Sequence, residues 1–228
     1  MTRLVADAAL RERLRDVYWI GGGSGAGKST VARRLADQYG LRRYATDDVM
    51  ADHGGRMARE DGPLLRAFGA MDMDERWVSR SPQVMLETFH WFRGEGFGLI
   101  VDDLLRLLAG PAPGREPGPG PGAGVVAEGF RLLPRLVKPL LADPRRAVWL
   151  LPAPGFRRAA FANRDSALQF WRRTSAPDRA LENLLERDRL FTAQLRSEAS
   201  RLALPIIEVE ATVTEDALVR QVADAFGL

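Results

Sequence analysis

The segment Gly22-Gly23-Ser24-Gly25-Ala26-Gly27-Lys28-Ser29 constrains this chain more than any other. It is a complete G-x-x-x-x-G-K-[ST] pattern, set directly after the apolar run 17–21 and directly before the helical pattern 28–39. Glycines let the backbone wrap closely around phosphate oxygens, while successive N–H groups and the helix N-terminus supply positive potential. The lysine reaches the β- and γ-phosphates and the following hydroxyl can ligate Mg²⁺. Lys28 and Lys138 are the only lysines among 33 Lys and Arg residues. A lysine at this position of an arginine-rich chain points to a task that the planar guanidinium cannot do.

The pattern around this loop alternates short β-rich runs with longer helical periods, which predicts βαβ units and a parallel sheet. Strands are expected at 17–21, 43–46, 125–128, 147–151 and 206–209. Helices are expected at 28–39, from the cap and N1 pair Ser81-Pro82 through residue 92, and over about 99–108, 134–141 and 177–200, with Gly94, Gly96 and Gly98 interrupting the second. The segment 110–124 reads GPAPGREPGPGPGAG and buries too little apolar surface to fix itself, so it is expected to be a flexible tether.

With 228 residues, the expectation is one large α/β domain, or one domain with a mobile appendage. Cysteine is absent, which excludes disulfides, thiolate metal sites and a cysteine nucleophile. His53 and His90 are the only histidines, too few for a multi-histidine metal centre, and core or solvent placement is the expectation for both. The pI near 9.8 rests on a net charge of only +3, so it does not argue for nucleic-acid binding. No apolar run reaches the roughly 18 residues of a membrane helix, and residues 1–16 read as a charged amphipathic segment rather than a signal peptide. A cytoplasmic protein without membrane or nucleic-acid partners is expected.

The loop implies nucleoside triphosphate binding but leaves the fate of the phosphate open. Absence of N-K-x-D or T-K-x-D argues against a GTPase, and absence of L-S-G-G-Q against a transporter ATPase. Two further segments narrow the choice: Thr46-Asp47-Asp48 after the second strand, and Val125-Val126-Ala127-Glu128-Gly129-Phe130 along the third. With the glycine loop, they resemble the P-loop kinases of the nucleoside-monophosphate-kinase-like class, which includes adenylate, shikimate and gluconate kinases and chloramphenicol phosphotransferase.

That resemblance implies a P-loop NTPase three-layer α/β sandwich with strand order 2-3-1-4-5, a helical substrate-binding insert at 51–109 and a lid at 154–177. ATP and Mg²⁺ are the implied cofactors, with a small-molecule hydroxyl as phosphoryl acceptor. Lys28 is implied in catalysis, and Gly22, Gly23, Ser24, Gly25, Ala26, Gly27, Lys28, Ser29 and Thr30 in phosphate binding. Asp47, with Asp48 as the alternative, matches the carboxylate that orients the acceptor hydroxyl and takes its proton; the competing reading is a helix cap. Glu128-Gly129 resembles the family's Asp-Gly. The longer Glu128 side chain either serves the metal beside Ser29 or hydrogen-bonds the substrate, and Gly129 lets substrate approach.

For the lid, Arg164, Arg172 and Arg173 are the chosen arginines among a group that includes Arg157 and Arg158. Arg187 and Arg189 read better as a solvated helix face, and the adenine falls by position near 210–214. The stretches 71–77 and 89–92 fall in the insert and could line a substrate pocket, although capped helix starts and buried aromatics explain them as well. Two rivals remain at this stage. One is a nucleotide or nucleoside kinase using Arg56, Arg59 or Arg66; the other is a non-catalytic ATP-binding regulatory module.

Overall fold

All five expected strands form in the computed structural model, which describes residues 7–57, 61–110, 124–153 and 169–228. They are β1 (Val17–Gly22), β2 (Arg42–Ala45), β3 (Val125–Glu128), β4 (Ala147–Pro152) and β5 (Ile206–Val209). They pair in parallel in the order β2-β3-β1-β4-β5, the P-loop NTPase-like arrangement.

Alternate residues of the central strands feed two apolar layers, as both faces of a parallel sheet require. Val17, Trp19, Ala147, Trp149 and Leu151 face one core with Ile100, Leu104, Phe191 and Leu195. Tyr18, Ile20, Val148 and Leu150 face the other with Val31, Leu35, Val222 and Phe226. The first core packs under the long helix Pro177–Arg201 and the helix Phe97–Ala109; the second packs under Lys28–Tyr39 and Glu215–Phe226. A smaller cluster of Trp77, Val78, Trp171, Ala180 and Leu184 seats part of the 51–109 segment on the long helix.

Register decides what meets at the sheet edge. Ile20 and Ala45 both pair with Glu128, so β2 and β3 finish level and β1 runs two residues past them into the glycine loop. The glycine loop, Asp47 and Glu128 therefore emerge side by side, where open α/β sheets bind their ligands.

Three expectations about helices change. The helix after Ser81 breaks at Phe89, whose ψ of 111° is extended, into Pro82–Thr88 and His90–Arg93. Gly94 and Gly96 take positive φ and do interrupt, but Gly98 lies inside Phe97–Ala109. The segment after Pro134 is α-helical only over Pro134–Val137 and tightens to a 3₁₀ turn at Lys138–Leu140, where Pro139 has no N–H to donate. Residues 111–123, the body of the expected tether, lie outside the described residues. Among the described residues no helix is long and apolar enough to cross a membrane.

Candidate active site

The glycine loop takes the backbone path its composition allows. Gly22, Gly25 and Gly27 have φ of 136°, 80° and 75°, a region that side chains disfavour, and Gly27 caps the helix Lys28–Tyr39 from the left-handed region. A side chain at Gly23 would come within 2.7 Å of the Thr192 hydroxyl, so the long helix closes against the loop. Lys28 is buried and its Nζ donates to the Gly23 carbonyl at 2.8 Å. Ser24, Gly25, Ala26, Gly27, Lys28, Ser29 and Thr30 line a pocket of about 290 Å³ together with Asp47 and Phe130.

Glu128 ends β3 beneath this pocket and is 3% exposed. Burial pushes its carboxyl above the ordinary carboxylate value, and the Asp47 charge adds to the rise. The Ser29 hydroxyl, hydrogen-bonded to it, and the Lys28 charge oppose that rise. The carboxylate thus sits on the Ser29 side of the pocket, and two oxygen donors stand together where a hard cation would need them.

The two aspartates after β2 separate cleanly. Asp47 is exposed and lines the pocket. Asp48 points away and accepts from Arg43 at 3.1 Å on the surface. Neither caps a helix: the helix Met50–Arg56 begins at Val49 with no side-chain cap. Thr46, fully buried, anchors the pair. Its N–H donates to the Glu128 carbonyl at 2.9 Å and its carbonyl accepts from Arg131 at 3.3 Å.

Gly129 has φ of 145°, and a side chain there would overlap the Thr46 hydroxyl. The space in front of this glycine is filled by Thr46, so the close approach that requires glycine here is internal.

The expected arginines are dispersed. Arg157, Arg158 and Arg164 lie outside the described residues, as does Arg59. Arg172 and Arg173 are exposed on the 3₁₀ turn Phe170–Arg173 and do not line the pocket. Arg189 pairs with Glu186 at 2.7 Å in solvent, as a helix face should. Arg187 corrects the solvated reading: it is 7% exposed, bonded to Asp188 at 2.6 Å, and stacked within 5.1–5.4 Å of Trp77, Phe89 and Phe92. Its aromatic neighbours come from the insert, which a helix period alone cannot reveal.

Within 71–77, Asp72 and Glu75 form a capping box, and Asp74 accepts from the Ser175 N–H at 2.8 Å, so these acids serve local structure. Arg56 is paired with Asp52 at 2.9 Å and with Asp103 at 3.1 Å.

Both histidines are buried. His90 packs among Phe68, Phe89 and Trp91, its Nδ1 has no hydrogen-bond partner among the described residues, and burial followed by the Arg131 charge lowers its pKa to about 4. His53 joins a polar cluster that sequence patterning does not reveal. Asp103 Oδ2 accepts from Tyr44 at 2.9 Å and lies 2.7 Å from His53 Nε2, and Arg131 lies 3.0 Å from His53 Nδ1. Burial alone would raise the Asp103 pKa, but hydrogen bonds with His53, Arg56 and Tyr44 hold it below the usual carboxylate range. Tyr44, His53, Asp103 and Arg131 are scattered over nearly 90 residues without a shared motif, so no sequence signal could have joined them.

No family model matches the chain, and no curated protein matches it. Solved structures similar to it include an uncharacterized protein from Eubacterium ventriosum, at 13% identity and TM-score 0.46, covering 93% of this chain and 98% of that one. Another is shikimate kinase from Acinetobacter baumannii in complex with shikimate, at 15% identity and TM-score 0.39, covering 94% of this chain and 95% of that one. Likeness at this level carries no argument about activity; the sheet order and the loop carry the fold on their own.

Proposed function

We propose that the protein is an ATP- and Mg²⁺-dependent phosphotransferase that moves the γ-phosphate of ATP to a hydroxyl of a small molecule. One observation carries the reading: Lys28, Ser29 and Asp47 line a single pocket on the C-terminal edge of the sheet and all three act on the buried Glu128 carboxyl, although the four come from three separate stretches of chain. A loop that only bound nucleotide would have no use for an exposed carboxylate lining its phosphate pocket.

The chemistry follows from the positions. Loop N–H groups and Lys28 hold the phosphates, with Lys28 exchanging its Gly23 carbonyl for phosphate oxygens. Ser29, with Glu128 behind it, fits a Mg²⁺ ion, which would neutralise charge on the β- and γ-phosphates when bound. Asp47 orients the acceptor hydroxyl and accepts its proton as the oxygen bonds to phosphorus and the bond to ADP breaks. The resemblance of the glycine loop, Thr46-Asp47-Asp48 and the end of β3 to the nucleoside-monophosphate-kinase-like kinases supports the same roles.

The test is transfer of label from γ-labelled ATP with Mg²⁺ to pooled sugars, sugar acids, nucleosides, nucleotides and aminoglycoside or phenicol antibiotics. Lys28→Ala is the blank. Label in one pool that disappears in Asp47→Ala supports the proposal and names the acceptor class. Mg²⁺·ATP binding without transfer in any pool refutes it.

A further inference from the structure

The polar cluster beneath Asp47 is built around a charge that lacks an obvious counter-ion. Arg131 is 2% exposed, and burial lowers its pKa to about 10. Its guanidinium touches the Thr46 carbonyl at 3.3 Å, the Gly96 carbonyl at 3.5 Å and His53 Nδ1 at 3.0 Å, and lies 4.0 Å over the Trp91 ring. Among the described residues it has no ion pair with a carboxylate. Asp47 and Asp103 act on it only at longer range. A buried cation held in this way depends on every acceptor it has.

His53 is the only side-chain acceptor among them, and its protonation is dictated by its neighbours. A guanidinium donates and cannot accept, so Nδ1 must carry the lone pair. The proton is then on Nε2, where it is donated to Asp103 Oδ2 at 2.7 Å. Burial, together with the Arg131 and Arg56 charges, lowers the His53 pKa against the pull of Asp103, in keeping with a neutral ring. Asp103 is in turn held by Tyr44 from β2, Arg56 from the helix Met50–Arg56 and Arg106 from its own helix, at 2.9–3.1 Å. The chain of contacts therefore runs Asp103, His53, Arg131, Thr46 carbonyl, and ends one peptide unit from Asp47.

We propose that His53 is a positioning residue for the acceptor carboxylate: as a neutral Nε2–H imidazole oriented by Asp103, it holds Arg131 on the Thr46 carbonyl and so sets where Asp47 stands at the mouth of the phosphate pocket. The inference rests on the proposed phosphotransfer reaction for its functional consequence, but not for its geometry. It also links the insert to the site, because His53 and Asp103 lie on insert helices whereas Thr46 and Arg131 lie at the sheet edge.

The experiment compares His53→Ala, which removes the acceptor, with His53→Gln, whose amide can still accept from Arg131 and donate to Asp103. Asp103→Asn is a further variant should His53→Ala not fold. ¹⁵N-histidine spectra should show His53 as the neutral Nε2–H tautomer near neutral pH. Backbone amide shifts of Thr46 and Asp47 should move in His53→Ala, or in Asp103→Asn, and return towards wild type in His53→Gln.

With γ-labelled ATP and the same acceptor pools, kcat should fall about tenfold in His53→Ala while KM for ATP stays within about twofold, and His53→Gln should recover most of the loss. A charged or Nδ1–H His53 overturns the proposal. So does an Asp47 amide that ignores these substitutions, or a His53→Gln variant no better than a folded His53→Ala. If wild type transfers no label, the phosphotransferase reading fails, while the tautomer and amide shifts still decide the role of His53.

Discussion

The two halves of the site are held together by different means. The phosphate half is backbone: three left-handed glycines, a helix N-terminus and the carbonyl of Gly23 shape the loop, and its residues are consecutive. The half around Asp47 is side chain: Thr46, Gly129, Arg131, His53 and Asp103 come from four stretches and interlock through hydrogen bonds and one tight contact. A backbone loop tolerates changes around it as long as its glycines remain. A side-chain network fails when any buried member loses its partner.

That contrast can be broken by experiment. Asp47→Asn should leave the phosphate half intact, so KM for ATP should hardly change while kcat falls about a hundredfold, the usual scale for a lost general base. Asp48→Asn, removing only a surface pair with Arg43, should be close to wild type. Equal losses in the two variants would show that the two aspartates share the role.

Gly129→Ala should damage stability, since a methyl at φ of 145° meets the Thr46 side chain. A loss of about 3 kcal/mol is expected, visible as a Tm drop of roughly 6–10 °C. A variant of wild-type stability would mean that Thr46 moves freely, and with it the anchor of Asp47.

Glu95 sharpens the comparison from the insert. Its two carboxylate oxygens accept from the N–H groups of Leu64 and Leu65, each at 2.9 Å, and cap the helix Pro63–Ala70. Glu95→Gln turns one acceptor into a donor facing a donor and should cost about 2 kcal/mol. Amide exchange should speed up first over that helix, whereas nucleotide affinity should be unchanged. Loss of ATP binding would show that insert and loop are one cooperative unit.

The smallest change in stability expected at the site is a gain. Glu128 has a raised pKa in the fold, so the folded state holds its proton more tightly than the unfolded chain does. Stability from this group falls as pH rises through its ordinary value towards its folded one, and the ionised form is a net cost above both. Glu128→Gln should therefore raise Tm by about 2 °C at neutral pH without ligand, with little gain below the ordinary glutamate value, while weakening the response to Mg²⁺·ATP. Thermal melts at two pH values, with and without nucleotide, check the sign.

Much of the sheet could be read from the chain. The runs at β3 and β5 have the expected bounds, β1 and β4 extend by one residue at their C-terminal ends and β2 is shifted by one residue; the central β1, β3 and β4 are apolar runs buried on both faces, which have few alternatives. The helix Lys28–Tyr39 was equally legible, bounded by Gly27 and Gly40. The insert was less so. Its break at Phe89 carries no proline or glycine and follows from aromatic packing onto Phe130 and Phe191.

What the sequence by itself determined is the phosphate loop and the strands around it, because their chemistry is local: glycine conformations, a lysine, a hydroxyl and apolar runs act within a few residues. Only the tertiary structure decided that Asp47 rather than Asp48 faces the pocket, that Arg187 is buried on aromatic rings, and that His53 and Arg131 meet beneath Thr46. Those outcomes depend on which distant side chains fill the same buried space, and hydrogen-bond satisfaction there is a condition on the whole fold rather than on any segment.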